Sequence, residues 1–511
     1  MDDAPDPDES HAHSVRARRP SAPAAAETYG LSTLTRRVSS VTREDGALSP
    51  LARMTPLAKY EPAPGPSLPP SAAASATDLA VFDEEEDQEL GDPSSSDEEA
   101  ARIPALPPID GGTPAYAFLL AATTIEVMVW GLPFSVGILQ AYWRDMFPEE
   151  QSTVTLAATL PNGILYFAGA VVGPLLTAMP WYERRIQLAG LVVAAIGLVS
   201  CGFATKAWHL VATFGCLYPF AVALYFPCPL ILFEWFHAKR GLASGIMYAG
   251  TGAGGTIFPF IVTALLRRIG YRATMITLGV LFAAVCAPAL LFVRRRVPVA
   301  RPPKSSPRRM RVNTVDWGFL RTPAPWIGFV FVTLSNLGNI IPLVWMPTFA
   351  TTVHANGTLL VSLMNAVTIP GFPLNGYLSD HLPARLAILT SCVVAALSSA
   401  LLWGFGTQPA ALFAFTLVWG ASAGCMTAFW SRLITTISDG DPQLPMLVMA
   451  IFSCLKGVGS LTSGPVSSAL LKLEPWSGAA GAYGATNYGG LFLYTSGSTL
   501  LGGLAASVFP S

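Results

Sequence analysis

Twelve stretches of mostly apolar residues, each about 20 residues long, recur between Pro114 and the end of the chain. As an α-helix rising 1.5 Å per residue, such a stretch crosses about 30 Å of hydrocarbon. A helix also satisfies its own backbone hydrogen bonds in lipid, and these stretches are too long for barrel strands. The pattern predicts an all-α membrane protein with twelve transmembrane helices. The predicted spans are 115–140, 153–178, 186–205, 208–233, 241–266, 272–293, 325–348, 357–378, 385–406, 409–431, 445–471 and 486–508.

A basic segment at 294–323 divides these spans six and six. The predicted organisation is a six-helix bundle at 113–293, a cytoplasmic linker at 294–323 and a second six-helix bundle at 324–511. Two similar bundles around a midplane site are typical of secondary transporters. The arginines of the linker are expected to lie against anionic lipid of the inner leaflet.

Residues 1–112 differ from the rest of the chain, being rich in Pro, Ser, Ala and acidic residues. They hold 21 Asp and Glu against 9 Lys and Arg, and they lack apolar periodicity. Such a segment cannot offset its ordering entropy by burial, so a disordered acidic cytoplasmic tail is predicted. Ser94, Ser95 and Ser96 stand among acidic residues and suit an acid-directed kinase. The alternative is a solvated acidic tail with no regulatory role.

The composition narrows the functional class. The chain is 52% hydrophobic and 12% charged, whereas a soluble domain carries about 25% charged residues. This excludes an ordinary cytosolic enzyme and a nucleic-acid-binding protein. The sequence holds no catalytic or P-loop motif. Its seven cysteines fall in apolar runs without a metal-binding spacing. No enzyme activity, cofactor or metal is therefore expected.

The distribution of basic residues predicts the orientation. With the N-terminus inside, the inner loops carry 15 Lys and Arg and the outer loops carry 6. Cytoplasmic loops are enriched in positive charge, so both termini are expected to be cytoplasmic. The expected location is the plasma membrane, with the vacuolar membrane as the alternative.

The ends of the second and eighth spans carry similar loops. The second copy, with Gly376, Leu378 and Asp380 before Arg385, resembles the GxLxDRxGRR loop of the major facilitator superfamily. The first copy leads from Gly173 to Arg184 but has Thr177 in place of the acid. The resemblance implies the major facilitator fold and a latch on its cytoplasmic side; the alternative is simple anchoring by positive charge. The candidate gate residues are Arg184, Arg185, Lys239, Arg240, Gly376, Asp380 and Arg385.

Two further segments resemble the signatures of the monocarboxylate-transporter family, in its fungal branch. They are Asp110-Gly111-Gly112 and the block from Trp235 to Gly250, and the resemblance covers residues 110–508. It implies proton-coupled transport of a carboxylate. The family's Lys of span one is replaced here by Phe134, and its Asp/Arg pair of span eight by Thr368 and Phe372. Because a carboxylate in a dry cavity needs a cationic partner, simple lactate-like cotransport is not expected.

Two ionisable residues lie within the spans at similar depth, Glu126 in span one and Lys456 in span eleven. A buried charge in a membrane is costly, so both are predicted to face a central cavity. Glu126 would carry a proton or bind a polar group, and Lys456 would be its counter-charge or the anion ligand. The alternative is a buried pair that fixes the positions of the helices.

Other candidates for the cavity are aromatic or amide side chains. Trp130 and Phe134 share the helix face of Glu126, as packing residues or as ligand surface. Four asparagines stand near prolines, where broken helices expose backbone groups; the alternative is interhelical hydrogen bonding. These asparagines are Asn162, Asn336, Asn339 and Asn365.

These observations favour a secondary transporter that moves a small organic solute, with proton coupling, by rocking of the two bundles. Its expected partners are the solute, the proton and the lipid bilayer. Three alternatives remain open at this point: a metabolite or drug efflux carrier of the same fold, a uniporter or channel without ion coupling, and a non-transporting nutrient receptor with a signalling tail.

Overall fold

The structure, a computed structural model, describes residues 106–297, 317–441, 444–472, 480–485 and 487–510. The predicted tail up to residue 105, with its serines, and most of the predicted linker lie outside these ranges. Every regular element in the described ranges is helical.

Ten of the described helices are long and apolar enough to cross a membrane. The longest, Arg240–Phe292, contains Gly270 with a φ of 76° and a ψ of 172°, which are not helical values. We therefore treat its two parts separately, and we add Gly489–Ser507, which coincides with the last predicted span. The helices are α1 (Thr113–Met146), α2 (Gln151–Ala178), α3 (Pro180–Cys201), α4 (Ala207–Trp235), α5 (240–269), α6 (271–292), α7 (Pro323–Thr352), α8 (Gly357–His381), α9 (Ala384–Trp403), α10 (Pro409–Ser438), α11 (Leu444–Leu470) and α12 (Gly489–Ser507).

Several of the described helices are interrupted along their length. The regular helix pauses at Ser135 in α1, at Ala168 in α2 and at Ile340 in α7. In α1 the interruption follows Pro133, which cannot donate a helical hydrogen bond. The expected break after Asn336 and Asn339 is therefore present in α7. α8, by contrast, is continuous through Pro370 and Pro373, so Asn365 does not lie at a break.

In chain order the described helices form two sets of six, α1–α6 and α7–α12, which we call the two halves. In the first half α1 packs on α5, α2 on α4, and α3 on α6; in the second half α7 packs on α11 and α12, and α8 on α10. The main contacts between the halves are α5 with α8 and α2 with α11. α5 has the same position in the first half as α11 has in the second, and α2 has the same position as α8. Exchanging the two halves would therefore turn the α5–α8 contact into the α11–α2 contact. The interface therefore has an approximate twofold relation.

The glycines of α5 allow helices to approach it on two sides. A Cβ on Gly250 or Gly254 would lie 2.5 Å from a carbonyl oxygen of α1. A Cβ on Gly245 would lie 2.4 Å from the carbonyl oxygen of Phe372 in α8. Small residues allow this close helix packing in membranes. α5 thus links its own half to the other half along one continuous helix.

Residues 107–110, assigned to the tail by the sequence pattern, pack against the helices. The Asp110 N–H donates to the Trp235 carbonyl oxygen over 2.9 Å, and Arg296 donates to the Pro107 carbonyl oxygen over 2.8 Å. Contacts with the helices therefore extend along the chain from α1 back to Pro107.

Candidate functional site

Glu126 lies on the face of α1 that packs against α5, with no exposed surface. The Thr251 hydroxyl of α5 donates to Glu126 Oε2 over 3.2 Å, while Glu126 Oε1 has no hydrogen-bond partner. Gly250 makes this approach feasible, since a Cβ at that position would lie 3.0 Å from the Glu126 Cβ. A carboxylate in this position is deprived of water and only partly compensated.

Lys456 lies on α11 and contacts both halves. Its Nζ donates to the Thr427 hydroxyl of α10 over 3.1 Å. The same Nζ lies 5.6 Å from the ring centre of Tyr166 in α2 and 5.7 Å from that of Trp430 in α10. These distances are typical of cation–π contacts, which stabilise a cation where water is scarce. The ammonium group has three donors, and one of them is used by Thr427.

Aromatic rings connect the acid and the base. Trp130, one turn after Glu126 on α1, has its ring centre 5.1 Å from that of Tyr166 and 5.4 Å from that of Tyr225. Glu126 and Lys456 do not form an ion pair, although both belong to the described part of the chain. We name this group the charged-aromatic cluster; it consists of Glu126, Trp130, Tyr166, Tyr225, Thr251, Thr427, Trp430 and Lys456.

The structure places four other predicted residues elsewhere, at the α5–α8 contact. The Thr368 hydroxyl donates to the Asn365 carbonyl oxygen over 2.7 Å, and the Phe372 ring centre lies 6.0 Å from that of Tyr248. Asn365, Thr368 and Phe372 are all buried. Phe134 is 38% exposed and lies against Gly255 of α5. This set makes helix contacts, whereas the hydrogen-bond partners of Glu126 and Lys456 are Thr251 and Thr427.

The remaining asparagines are not gathered at one point. Asn339 donates to the Ala423 carbonyl oxygen of α10 over 2.9 Å, as an interhelical hydrogen bond. Asn336 donates to the Val332 carbonyl oxygen of its own helix over 2.7 Å and packs against Gly459 of α11. Asn162 is partly buried within α2, six residues before the interruption of that helix.

A latch joins the two halves at the start of α5. Asp380, near the end of α8, accepts hydrogen bonds from the Gly241 N–H over 2.7 Å and the Leu242 N–H over 2.8 Å. A carboxylate at a helix N-terminus satisfies unpaired N–H groups and complements the helix dipole. Arg240 donates to the Thr435 hydroxyl of α10 over 2.8 Å. We use the name latch for Arg240, Gly241, Leu242, Gly376, Asp380 and Thr435.

A second carboxylate, Asp110, holds the turn before the latch. Asp110 accepts from the N–H groups of His237 over 2.8 Å, Ala238 over 3.0 Å and Lys239 over 3.1 Å. Burial raises the pKa of Asp110, but the three backbone hydrogen bonds lower it by more, so the net pKa lies below its ordinary value. The two segments that carry the family resemblance are thus in direct contact. Lys239 contributes its backbone, and its side chain is exposed.

Three predicted gate residues do not contact the latch. Arg184 donates to the Leu290 carbonyl oxygen within its own half, and Arg185 lies over the Tyr182 ring at 5.4 Å. Arg385 is exposed at the start of α9. Thr177, at the position of the missing acid, donates to the Gly173 carbonyl oxygen of its own helix. The latch is therefore one-sided: α8 caps α5 with a carboxylate, whereas α2 has no acid at the corresponding position.

An ion-pair cluster around Arg295 was not predicted from the sequence. Arg295 donates to Glu183 Oε2 of α3 over 2.6 Å and to Glu234 Oε1 of α4 over 3.0 Å. Burial lowers the pKa of Arg295, but the two carboxylates raise it by more. Arg295 was expected against lipid and instead binds protein. Glu183 and Glu234 are acidic residues near helix ends and could be recognised as such in the sequence. Their spacing could not show that both bind Arg295.

The arrangement of two halves, joined by a capped helix end and enclosing a charged cluster, agrees with a comparison of sequences. The sequence model of the Major Facilitator Superfamily matches residues 119–463. The chain belongs to this superfamily. Its members are transporters, so the expectation of a transporter rather than an enzyme is confirmed.

Individual relatives in the superfamily are distant but extensive. The chain is 26% identical over 412 residues to MFS transporter asaE of Aspergillus flavus, covering 79% of this chain and 87% of the relative. It is 25% identical to the MFS-type transporter pynF of Aspergillus niger, covering 79% and 89%. It is 24% identical to the Fujikurins efflux protein of Gibberella fujikuroi, covering 76% and 81%.

A solved structure supports the major facilitator fold. The Escherichia coli fucose:proton symporter FucP, in its N162A form, superposes with a TM-score of 0.55 and 10% sequence identity. The match covers 77% of this chain and 98% of the symporter. At this identity the likeness concerns the fold alone.

Proposed function

We propose that this chain is a secondary transporter with twelve membrane crossings and cytoplasmic termini, which carries a small organic solute by alternating access. The latch supports this proposal, because it joins α5 of one half to α8 of the other by hydrogen bonds that a rocking motion can break. The latch lies at the predicted cytoplasmic end. In this conformation the cytoplasmic path is closed, and breaking the hydrogen bonds of the latch would open it.

The proton-coupling role is assigned to Glu126. Its carboxyl is fully buried, accepts one hydrogen bond and leaves Oε1 without a partner. A charged carboxylate in such a place is costly unless a cation approaches, whereas a neutral carboxylic acid is tolerated. Lys456 belongs to the other half and lies over the Tyr166 ring, which Trp130 contacts from α1. Loading a proton on Glu126 therefore changes the attraction between the halves, and this links protonation to rocking.

The charged-aromatic cluster also restricts the chemical class of solute that can bind. Lys456 offers unused N–H donors, and the rings of Trp130, Tyr166 and Trp430 offer flat apolar surface. This combination fits a planar or partly apolar solute that bears an anionic or polar group. The α8 positions at which the monocarboxylate family binds its substrate are closed by contacts of Thr368 and Phe372 with α5. We therefore place a carboxylate, if one is carried, on Lys456.

Export is the second candidate for the direction of transport. It is supported by the relative from Gibberella fujikuroi, which is named an efflux protein. An exporter would bind its solute with the cytoplasmic end open, so the closed latch would correspond to the state that releases it outside.

The proposal is tested in proteoliposomes that hold a pH-sensitive dye. Wild-type protein is exposed to aromatic and aliphatic carboxylates and to neutral metabolites, and solute-driven proton flux is recorded. Glu126→Gln keeps the shape of the side chain but cannot release a proton, so we expect it to abolish proton flux while solute exchange persists. Glu149→Gln, on an exposed loop, is the control and should behave as wild type. Unchanged proton flux in Glu126→Gln would reject the coupling role.

A further inference from the structure

A pocket of about 410 Å³ lies at the predicted cytoplasmic end of the first half, between the start of α3 and the segment that follows α6. Trp181, Arg184 and Gln187 line it from α3, and Arg294 and Arg295 line it from the other side. It is remote in sequence from the charged-aromatic cluster and the latch. We refer to it as the arginine pocket.

The pocket contains an unsatisfied buried donor. Gln187 is 1% exposed, and its amide Nε2 has no hydrogen-bond partner. A buried amide donor without a partner is costly, and a ligand with an acceptor oxygen would remove that cost. Gln187 is part of the lining, so this buried amide group lies beside the space that an entering molecule would occupy.

The charges of the pocket favour an anion. Glu183 also lines the pocket and is occupied by Arg295, which in turn is shared with Glu234. Arg184 and Arg294 each donate one hydrogen bond to a backbone carbonyl oxygen and have further N–H groups. Two guanidinium groups with spare donors, next to a neutral amide donor, match the oxygens of a phosphate group.

The surface beside the pocket matches lipid chains. Leu188, Val192 and Ile196 follow Arg184 at four-residue spacing along α3 and are 45%, 54% and 55% exposed. On the adjoining helix, Phe292 is 56% exposed just before the arginines. Residues four apart share a helix face. An apolar strip therefore rises directly from the pocket, with Trp181 at its edge, a position that tryptophan favours at the membrane interface.

We propose that the arginine pocket binds the phosphate of an anionic phospholipid, whose acyl chains lie along the apolar strip of α3. Arg184 and Arg294 bind the phosphate oxygens, and the Gln187 amide donates to one of them. The lipid would thereby hold the start of α3 against the end of α6. A soluble phosphate compound would use the same donors but not the strip.

The test is lipid retention by the purified full-length protein, measured by native mass spectrometry in detergent with added dioleoyl phosphatidylglycerol or dioleoyl phosphatidylcholine. Wild-type protein should retain phosphatidylglycerol in preference to phosphatidylcholine. Arg184→Gln and Gln187→Met should each weaken that retention about tenfold, because a charged or buried hydrogen bond to the headgroup is lost. Arg184→Lys should retain part of the preference.

Arg185→Gln is the matched control, since Arg185 is the adjacent arginine and does not line the pocket. An equal loss in Arg185→Gln would show diffuse attraction by charge and overturn the proposal, as would unchanged retention in Gln187→Met. Displacement of the lipid by excess inorganic phosphate would overturn the lipid assignment in favour of a soluble phosphate. If Arg184→Gln does not fold by thermal melting, the Gln187→Met result decides.

Discussion

Three carboxylates of this protein occupy different environments, and their roles follow from those environments. Asp110 and Asp380 accept several backbone N–H bonds at the start of α5. Glu126 accepts one side-chain hydrogen bond and leaves an oxygen unpaired. The first two serve as structural caps through these backbone hydrogen bonds. The third is poorly compensated when charged, which suits a group that exchanges a proton.

At the scale of the residue, we predict that Asp110→Ala destabilises the protein by about 1 kcal/mol at neutral pH, as expected for the loss of a partly exposed cap. The pKa of Asp110 is lowered in the folded state, so this contribution is full above the unfolded value of about 3.9 and disappears as the pH falls through the lower folded pKa. Thermal melting of both proteins at pH 7 and at strongly acidic pH measures it.

The control for this prediction is Asp145→Ala, because Asp145 is exposed at the end of α1. Asp145→Ala should have the same melting temperature as the wild type at both pH values. A difference between wild type and Asp110→Ala that persists unchanged at strongly acidic pH would contradict the charge-dependent cap.

At the scale of the element, α5 is the helix that unites the molecule. Its glycines allow neighbouring helices to pack closely against it. The structure shows that Gly241 and Gly245 face α8, whereas Gly250 and Gly254 face α1. Spacing alone could not assign these partners, because glycines four or five residues apart on a helix allow any neighbouring helix to approach. The helix continues through Pro259 and loses its helical geometry at Gly270.

A second prediction concerns the contact between α5 and α8. A methyl group on Gly376 would lie 2.1 Å from the Gly241 carbonyl oxygen, so Gly376→Ala must separate the helices and break the bonds of Asp380. We expect transport to fall about tenfold, which corresponds to about 1.4 kcal/mol. We also expect a cysteine introduced in place of the buried Ser244 to become reactive toward a membrane-impermeant thiol reagent.

Gly464→Ala is the matched glycine control for that experiment. Gly464 lies in α11 and nothing is within 4 Å of its added Cβ. Removal of a helical glycine there should stabilise the protein slightly, by about 0.5–1 kcal/mol. Equal effects of the two substitutions on transport would contradict the specific role of the α5–α8 contact.

At the scale of the whole molecule, the halves must separate at the latch end if access alternates. The added Cβ of Gly173 in α2 would lie 3.1 Å from the Cβ of Ala450 in α11. This is slightly less than the separation of about 3.5–4.5 Å found in disulfides, so a small adjustment permits a bridge. We predict that Gly173→Cys with Ala450→Cys, on a Cys454→Ser background, stops transport when oxidised and regains it when reduced.

The geometric control for this bridge pairs Val171→Cys with Ala450→Cys. Val171 is 69% exposed, in contrast to the tightly packed Gly173, so oxidation should leave transport unchanged. Normal transport by the oxidised Gly173–Ala450 protein would show that this end need not open, and alternating access between these halves would then be wrong.

The positions of helices and of isolated charges could be predicted from the sequence, because their physical causes act within a single stretch of the chain. Apolar runs long enough to cross a bilayer located the helices, since lipid enforces hydrogen-bonded helices wherever such runs occur. The isolated charges Glu126 and Lys456 stood out because a charge in an apolar run is costly. The resemblance of the Asp380 loop to a known loop directed attention to this residue, and Asp380 contacts the start of α5.

Only the tertiary structure decided which of these residues meet. It gave Lys456 aromatic neighbours from two helices, assigned Thr368 and Phe372 to helix packing, and placed Arg295 on two carboxylates. Such contacts join residues that are far apart in the sequence, and helical spacing fixes only which side of a helix a residue occupies. The neighbour on that side depends on how all the helices pack, because close packing is a property of the whole interior.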